Sequence, residues 1–564
     1  MRSTLGMLAV LAALAVACAA AGRLDVATMG GGFKGDEATY IGLAASVGFD
    51  GDFTYGLRDY QRFREWYGGG PQGIFLKRGG DGQLYFGKAF LYGVLAAPFA
   101  RIGGPGGLLV FNFCCFALLL TAGYFWLRQG SRHAAALLFS LFFLAASIAP
   151  LYAFWLTSDS LNFALVFLAF ACAVAPPGEP IRPLRWRALG FVLLAASIFS
   201  KPLNLPLALP LAMGASRSGP APTARSLAAI GVVVAIFFGI NAAITGELNY
   251  QGGDRKTFYG AFPYDDRGST FDSAGISVGT DSLTRVGGEG RFASVAANVG
   301  YFVVGRHFGL LPFGWPWLVV VGWWAAGERR KTSWQWALLA ATAAAGLGTI
   351  VLMPYTWSGA GGPVGNRYFL SVAGSLFFLA PRVKSFVPAA VAALGLLFVW
   401  PALSSPFTVV KQPWRATRAA IFQALPLELT GASDFPVILD RPRSRIPQGR
   451  EPRLFIALLD DRSGMGQRGW IAVRPGVKAS LLIRSPQPLD AVTIGVKSFS
   501  ACAIGLASGS ARQQVSLGYA DRRDVDIHPP QVFSRDSFVF VLDVDSRGCA
   551  DPVEVAMQGH ARHE

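Results

Sequence analysis

Residues 108–127 read LLVFNFCCFALLLTAGYFWL and are followed at once by Arg128 and Arg132. At 1.5 Å per residue, a charge-free run of this length forms a helix that crosses about 30 Å of hydrocarbon. Arginines at one end mark the side of the membrane on which the run stops. The same pattern recurs on both sides of it. Working outward, apolar segments fall at about 134–151, 161–174, 188–200, 203–215, 227–244, 308–326, 334–353, 369–380 and 387–400, with an earlier one at 5–22. Basic residues gather at alternate breaks: Arg182, Arg185 and Arg187; Arg217 and Arg225; Arg329, Arg330 and Lys331; Arg382 and Lys384. The pattern predicts a polytopic α-helical membrane protein of about eleven spans, with the basic breaks inside.

The totals agree. The chain has 564 residues, 52% hydrophobic and only 15% charged, against roughly 25% charged in ordinary soluble proteins. A net charge of +16 would otherwise suggest a nucleic-acid partner. Here much of the excess belongs to the topological breaks, so nucleic-acid binding is excluded as the main role. The segment at 5–22 is either an uncleaved first span or a signal peptide, and both place residue 23 outside.

Two long outer loops interrupt the spans, at 23–105 and 245–305. Loops of that length carry function or structure of their own. Within the first, YGLRDYQRFREWY (55–67) reads as an amphipathic interfacial helix with Arg58, Arg62 and Arg64 snorkelling. FGKAFLYGVLAAPFARI (86–102) is apolar but holds Lys88, Pro98 and Arg101, and reads as a helix lying in or dipping into the interface. Residues 1–403 thus form the membrane domain. From 404 to 564 the apolar runs shorten and alternate between Gly, Pro, Asp and Ser, which predicts an extracytoplasmic β-rich domain, sandwich-like in architecture. An odd number of spans puts that domain outside, on the same side as residue 23. Cys502 and Cys549, an even pair in its polar sequence, suit a disulfide in an oxidising compartment. Cys18, Cys114, Cys115 and Cys172 lie in apolar runs and read as packing residues.

No span carries an ionisable residue near its middle, which disfavours an ion-coupled transporter. The candidate functional residues lie instead at outer ends: Asp36, Glu37 and Tyr40; Asp159; Lys201; Arg306 and His307; Asn366, Arg367 and Tyr368. Each has an ordinary alternative: Asp159 a helix cap, Lys201 and Arg306 snorkelling anchors, Arg367 with Tyr368 an interface anchor, His307 a packing residue. Together they combine carboxylates able to act as a base or hold a divalent ion with cations able to bind phosphate.

The motifs that carry these residues resemble those of the GT-C glycosyltransferases, in particular the bacterial protein-mannosyltransferase type and the lipid A aminoarabinose or galacturonate transferases. Gly35-Asp36-Glu37-Ala38-Thr39-Tyr40 resembles their first-loop acidic motif, and Leu156-Thr157-Ser158-Asp159-Ser160 their second. Phe199-Ser200-Lys201-Pro202 resembles their Thr-Lys-Gly/Pro. Gly305-Arg306-His307-Phe308 and Gly365-Asn366-Arg367-Tyr368-Phe369 resemble later outer-face motifs. Gly87-Lys88-Ala89 stands where the family has His/Lys-Pro-Pro.

The resemblance covers roughly residues 1–400. It implies transfer of a sugar from a polyprenyl-phosphate donor to a cell-envelope acceptor, with inversion, among membrane lipids. It also implies Asp36 as base with Glu37 and Asp159 assisting, and Lys201, Arg306 and Arg367 on the donor phosphate. The resemblance makes no cofactor certain, since family members differ in metal use; Asp36, Glu37 and Asp159 are the residues that would hold a divalent cation (Mg or Mn) if one is used. Two other classes stay beside this one: a carrier or flippase for lipid-linked saccharide, and a non-catalytic glycan-binding envelope protein.

Overall fold

The computed structural model describes residues 35–176, 178–216, 219–251, 254–277, 291–327 and 331–562, with three isolated positions before residue 35. Apart from those positions, the segment at 5–22, Cys18 included, lies outside the described residues. Compactness divides the chain into two units. The first takes the described residues up to 277, with 311–348 and 367–410; the second takes 291–310, 349–366 and 411–562.

In the first unit, α1 (Asp36–Ala45) follows Gly35, whose φ of 56° only glycine adopts without strain. Helix α2 (Leu57–Tyr67) differs from the sequence reading. Phe63 is buried, Trp66 packs edge-on against Phe49, and Arg62 pairs with Asp50 at 2.8 Å and Asp59 at 3.2 Å. The aromatic face therefore packs on protein, and only Arg58 and Arg64 stay exposed to snorkel. Helix α3 (Phe90–Leu127) absorbs both the interfacial segment and the run at 108–127, broken at Gly104 between Pro98 and Pro105.

Next come α4 (His133–Ala145), α5 (Asp159–Ala173), α6 (Leu184–Ser200), α7 (Ala208–Ser216) and α8 (Pro220–Thr245). Helices α9 (Trp315–Gly327), α10 (Ser333–Leu352) and α11 (Arg367–Ala373) follow. Among the described residues, α3, α8 and α10 are long and apolar enough to cross a membrane. In α8 only Ile230 and Asn241 are buried, while Val232, Ile236 and Ile240 are exposed. A face of that kind suits hydrocarbon and not water. The remaining apolar helices are shorter, or end in 3-10 turns as at Gly374–Leu379.

Aromatic packing ties the bundle together. Phe377 lies 5.0 Å from both Phe143 and Phe167, and Phe378 lies 5.0 Å from Trp126 and Phe167, ring centre to ring centre. Gly123 and Gly374 make the room, since a Cβ at either would press on these rings or on Phe163. In lipid such close packing replaces the hydrophobic effect as the force between helices.

The two long loops are not separate. Strands β1 (Gln72–Arg78), β2 (Leu84–Phe86), β3 (Arg255–Tyr259) and β4 (Ile276–Ser277) form one antiparallel sheet in the order β2-β1-β3-β4. Loop one contributes β1 and β2, loop two β3 and β4, and pairing of Lys77 with Arg255 fixes their register.

The second unit holds a five-stranded and a seven-stranded antiparallel sheet between Ile446 and Ala561. Alternating residues such as Leu481, Ile483, Val492, Ile494, Leu506, Leu542 and Val555 fill the core between them. Cys502 and Cys549 form a disulfide, with Cα atoms 5.1 Å apart.

Candidate active site: an alternating chain of charges

Every residue of Gly35-Asp36-Glu37-Ala38-Thr39-Tyr40 has a distinct task. Gly35 donates its N–H to the Gln72 carbonyl at 2.8 Å, and the Thr39 hydroxyl accepts the Phe75 N–H at 2.9 Å. These two bonds dock the start of α1 on β1. Ala38 is fully buried. Glu37 accepts the Leu156 N–H at 3.4 Å, and Tyr40 accepts the Ser158 hydroxyl at 2.9 Å. Both thereby hold the segment leading into Asp159.

Asp36, at the first position of α1, is left facing cations. Its Oδ1 lies 2.6 Å from Lys88 Nζ, and its Oδ2 pairs with Arg367 Nη2. Arg367 Nε donates to Asp159 Oδ2 at 2.6 Å, and Asp159 Oδ1 accepts from Lys201 Nζ at 3.0 Å. The order is Lys88, Asp36, Arg367, Asp159, Lys201, with the sign of charge alternating at each step. Exposure of these side chains runs from 4% at Asp159 to 19% at Arg367, so the chain is shielded without being sealed. A buried pair that loses one partner costs about 3–5 kcal/mol, which is why such a chain forms as a whole.

Helix ends set the positions. Asp36 and Asp159 open α1 and α5, where the helix dipole favours negative charge, and Lys201 caps the C-terminus of α6, where it favours positive charge. Asp159 heads its helix but does not cap it; its Oδ2 also accepts the Thr157 hydroxyl at 2.9 Å. Arg367 opens α11 against the dipole, and two carboxylates compensate. Lys201 further donates to the Arg367 carbonyl at 2.8 Å and lies 5.8 Å from the centre of the Tyr368 ring.

Burial would raise the Asp36 carboxyl, but the Lys88 ammonium and the Arg367 guanidinium outweigh it and hold it well below the usual carboxylate range. Burial pushes the Lys88 and Lys201 ammonium groups down, with Asp36 and Asp159 respectively opposing.

The β1–β3 pairing brings in a cation that the sequence reading missed. Arg255 is buried and lies 5.1 Å over the Phe75 ring, with Lys88 Nζ 4.8 Å from the same ring. Its Nη1 reaches the Gly87 carbonyl at 3.5 Å, while its Nε has no hydrogen-bond partner among the described residues. Lys88 is also absent from the sequence candidates; the signal that could have found it is a lysine in the apolar segment 86–102, at Gly87-Lys88-Ala89. Arg255 had no local signal, because its placement depends on pairing with β1, far away in sequence.

Arg306, His307 and Asn366 belong to the second unit and are engaged there. The Arg306 guanidinium donates to the Leu425 and Gln423 carbonyls and to Gln423 Oε1, each at 3.2 Å. That leaves it committed to protein oxygens, where the sequence reading had grouped it with Lys201 and Arg367. The His307 and Phe308 N–H groups donate to Glu428 Oε1 at 2.7 and 2.9 Å, and His307 Nδ1 lies 3.0 Å from the Thr417 hydroxyl. Asn366 is buried. Gly305 packs directly on Glu428, which leaves no room for a side chain.

The carboxylates are not set to chelate a divalent ion. Arg367 bridges Asp36 and Asp159, each of which also holds a lysine, and Glu37 serves a backbone N–H. Among the described residues no group of three His, Cys, Asp or Glu side chains converges as metal ligands.

No family model matches the chain, and no curated protein does. Among solved structures the chain is similar to the crystal structure of ArnT from Cupriavidus metallidurans bound to undecaprenyl phosphate. Sequence identity is 13%, coverage 72% of this chain and 69% of that chain, and the TM-score 0.42.

Proposed function

We propose that the protein is a membrane glycosyltransferase that moves a sugar, with inversion, from a polyprenyl-phosphate donor to a cell-envelope acceptor at the outer face of the bacterial inner membrane. The observation that carries this reading is the surplus of cations around two carboxylates. Lys88, Lys201, Arg255 and Arg367 supply four positive charges against the carboxylates of Asp36 and Asp159, while the neighbouring Glu37 carboxylate accepts the Leu156 N–H, so cations outnumber carboxylates at the site. A polyprenyl phosphodiester carries one negative charge, and the phosphate leaving it carries a second as the bond to the sugar breaks. Preorganised cations stabilise that developing charge more than the ground state, which is what lowers a barrier.

Asp36 is the base in this scheme. Its carboxylate takes the proton of the acceptor hydroxyl while the acceptor oxygen bonds the anomeric carbon and the phosphate oxygen departs on the opposite face. Without donor, both Asp36 oxygens are held in ion pairs, so its proton affinity is low. A donor phosphate competes for Lys88 and Arg367, frees an oxygen and raises that affinity. The base thus strengthens when substrate is present. Glu37 and Tyr40 keep the Asp159 segment in place, and Lys201 and Arg367 share the phosphate with Lys88 and Arg255.

Deleting the gene and comparing cell-envelope lipids and glycans by mass spectrometry tests the reading. A glycan or lipid should lose one sugar, wild-type protein should restore it, and Asp36→Asn at equal membrane level should not. Restoration by Asp36→Asn would remove the base from the scheme.

A further inference from the structure

One helical turn away from the charges lies a second, uncharged chain. Ser371, four residues after Arg367, donates to Asn204 Oδ1 at 2.9 Å. Asn204, three residues after Lys201, donates to the Ser197 hydroxyl at 2.6 Å. Ser197, four residues before Lys201, donates to Asn162 Oδ1 at 3.4 Å. Asn162, three residues after Asp159, donates to the Ser158 carbonyl at 2.9 Å and the Ser200 hydroxyl at 3.0 Å. Every bond runs in the same donor direction. None of these side chains is more than 5% exposed.

The spacing gives the ladder its meaning. Within α5 and α11 three and four residues are one helical turn, so Asn162 and Ser371 lie on the same faces as Asp159 and Arg367. Lys201 is extended where α6 ends, and Ser197 and Asn204 flank it from the last turn of α6 and from the 3-10 turn Pro202–Leu207. The backbone adds to this, because the Lys201 N–H donates to the Ser197 carbonyl at 2.7 Å and the Asn204 N–H to the Lys201 carbonyl at 3.0 Å. Apolar side chains alone leave neighbouring helices free to slide or rotate by small amounts, whereas a buried polar ladder has one satisfied register. A rung left unpaired in that interior is costly, so the ladder holds as a unit.

Resting on the reading of the charged chain as the donor-phosphate site, we infer that Asn162, Ser197, Asn204 and Ser371 are positioning residues that set the register of Asp159, Lys201 and Arg367. They touch no substrate. They act by keeping α5, α11 and the α6 terminus at the spacing that lets Arg367 bridge two carboxylates while Lys201 reaches Asp159.

The test uses the full-length protein in detergent with two variants, Asn204→Leu and the milder Ser371→Ala. The readouts are kcat with a polyprenyl-phosphate sugar donor, thermal unfolding, and labelling of Lys201 by a water-soluble amine-acylating reagent, measured by peptide mass spectrometry. The expected result is a kcat loss of about 10-fold to 100-fold, the scale set by small misplacements of reacting groups. Lys201 labelling should rise several-fold at a temperature well below each variant's own unfolding, Tm should fall less for Ser371→Ala than for Asn204→Leu, and Ser371→Thr should return labelling and kcat toward wild type. Wild-type rates and labelling in both variants overturn the inference, as does activity lost only in step with Tm. If wild-type protein transfers no sugar but the variants still expose Lys201, the ladder stands and the transferase reading falls.

Discussion

The two units bury carboxylates in opposite ways. In the first, Asp36 and Asp159 sit in a row of alternating charges, each oxygen on a cation, with Arg255 close by and its Nε unpaired among the described residues. In the second, Glu428 is fully buried and accepts two backbone N–H groups on one oxygen, while its Oε2 has no hydrogen-bond partner among the described residues. Burial pushes both carboxyls up; at Asp36 the Lys88 and Arg367 cations overrule it and hold the carboxyl down, whereas at Glu428 the backbone bonds and Arg306 do not, and the carboxyl is pushed up to about 7. In the proposed scheme the carboxylate among surplus cations serves an anionic substrate. A carboxyl on backbone N–H groups is a staple.

The same chemical change should therefore have opposite consequences in the two places. The largest effect is expected from Asp36→Asn, which should lower transfer by about 10²–10⁴-fold, the range set by removal of a general base. Near-normal turnover by detergent-purified Asp36→Asn would end the comparison. Next, Arg367→Ala removes the bridge between two buried carboxylates and should destabilise the first unit by about 3–5 kcal/mol, read by thermal unfolding. A loss below about 1 kcal/mol would mean the chain behaves as a surface ion network. Cys502→Ser opens a disulfide spanning 47 residues of the second unit and should cost about 2–4 kcal/mol there without altering the ion chain.

The smallest and most discriminating effect is the pH dependence. Glu428 has a folded value of about 7 against an ordinary 4.5, so the folded state binds more protons in that window and stability falls as pH rises through it. Glu428→Gln keeps an acceptor for both N–H groups and should raise the unfolding temperature at pH 7.5 relative to pH 5. Asp36 runs the other way. Its depressed value contributes stability that is present above its ordinary 3.8 and is lost as pH falls below it. If unfolding of both variants shifts with pH in the same sense, the two carboxyls are not buried by different means.

Much of this was legible in the sequence because a membrane restricts where charges can lie. Asp36, Asp159, Lys201 and Arg367 stood out as the charges left at outer ends of apolar runs, and the structure brings these four into direct contact. The alternating runs from Leu454 onward likewise announced strands, whereas 406–444, read with them, forms short helices and 3-10 turns, Pro436–Leu439 included. Arg255 was not legible, because the pairing of β1 with β3 joins residues far apart in sequence and leaves no local trace. Nor was the commitment of Arg306 to the Gln423 and Leu425 carbonyls, since a guanidinium in an outer-face motif reads the same whether it meets phosphate or protein. The α2 helix misled for a related reason: its aromatic face reads equally well toward lipid or toward Phe49.

The most direct measurement of the central claim follows the phosphorus. Purified protein is mixed with a panel of polyprenyl-phosphate sugars and an envelope extract, and the reaction is watched by 31P NMR. The account predicts that one donor's phosphodiester signal converts to a phosphomonoester with wild-type protein and persists with Asp36→Asn. Persistence of every donor with wild-type protein, or equal conversion by both proteins, would contradict it.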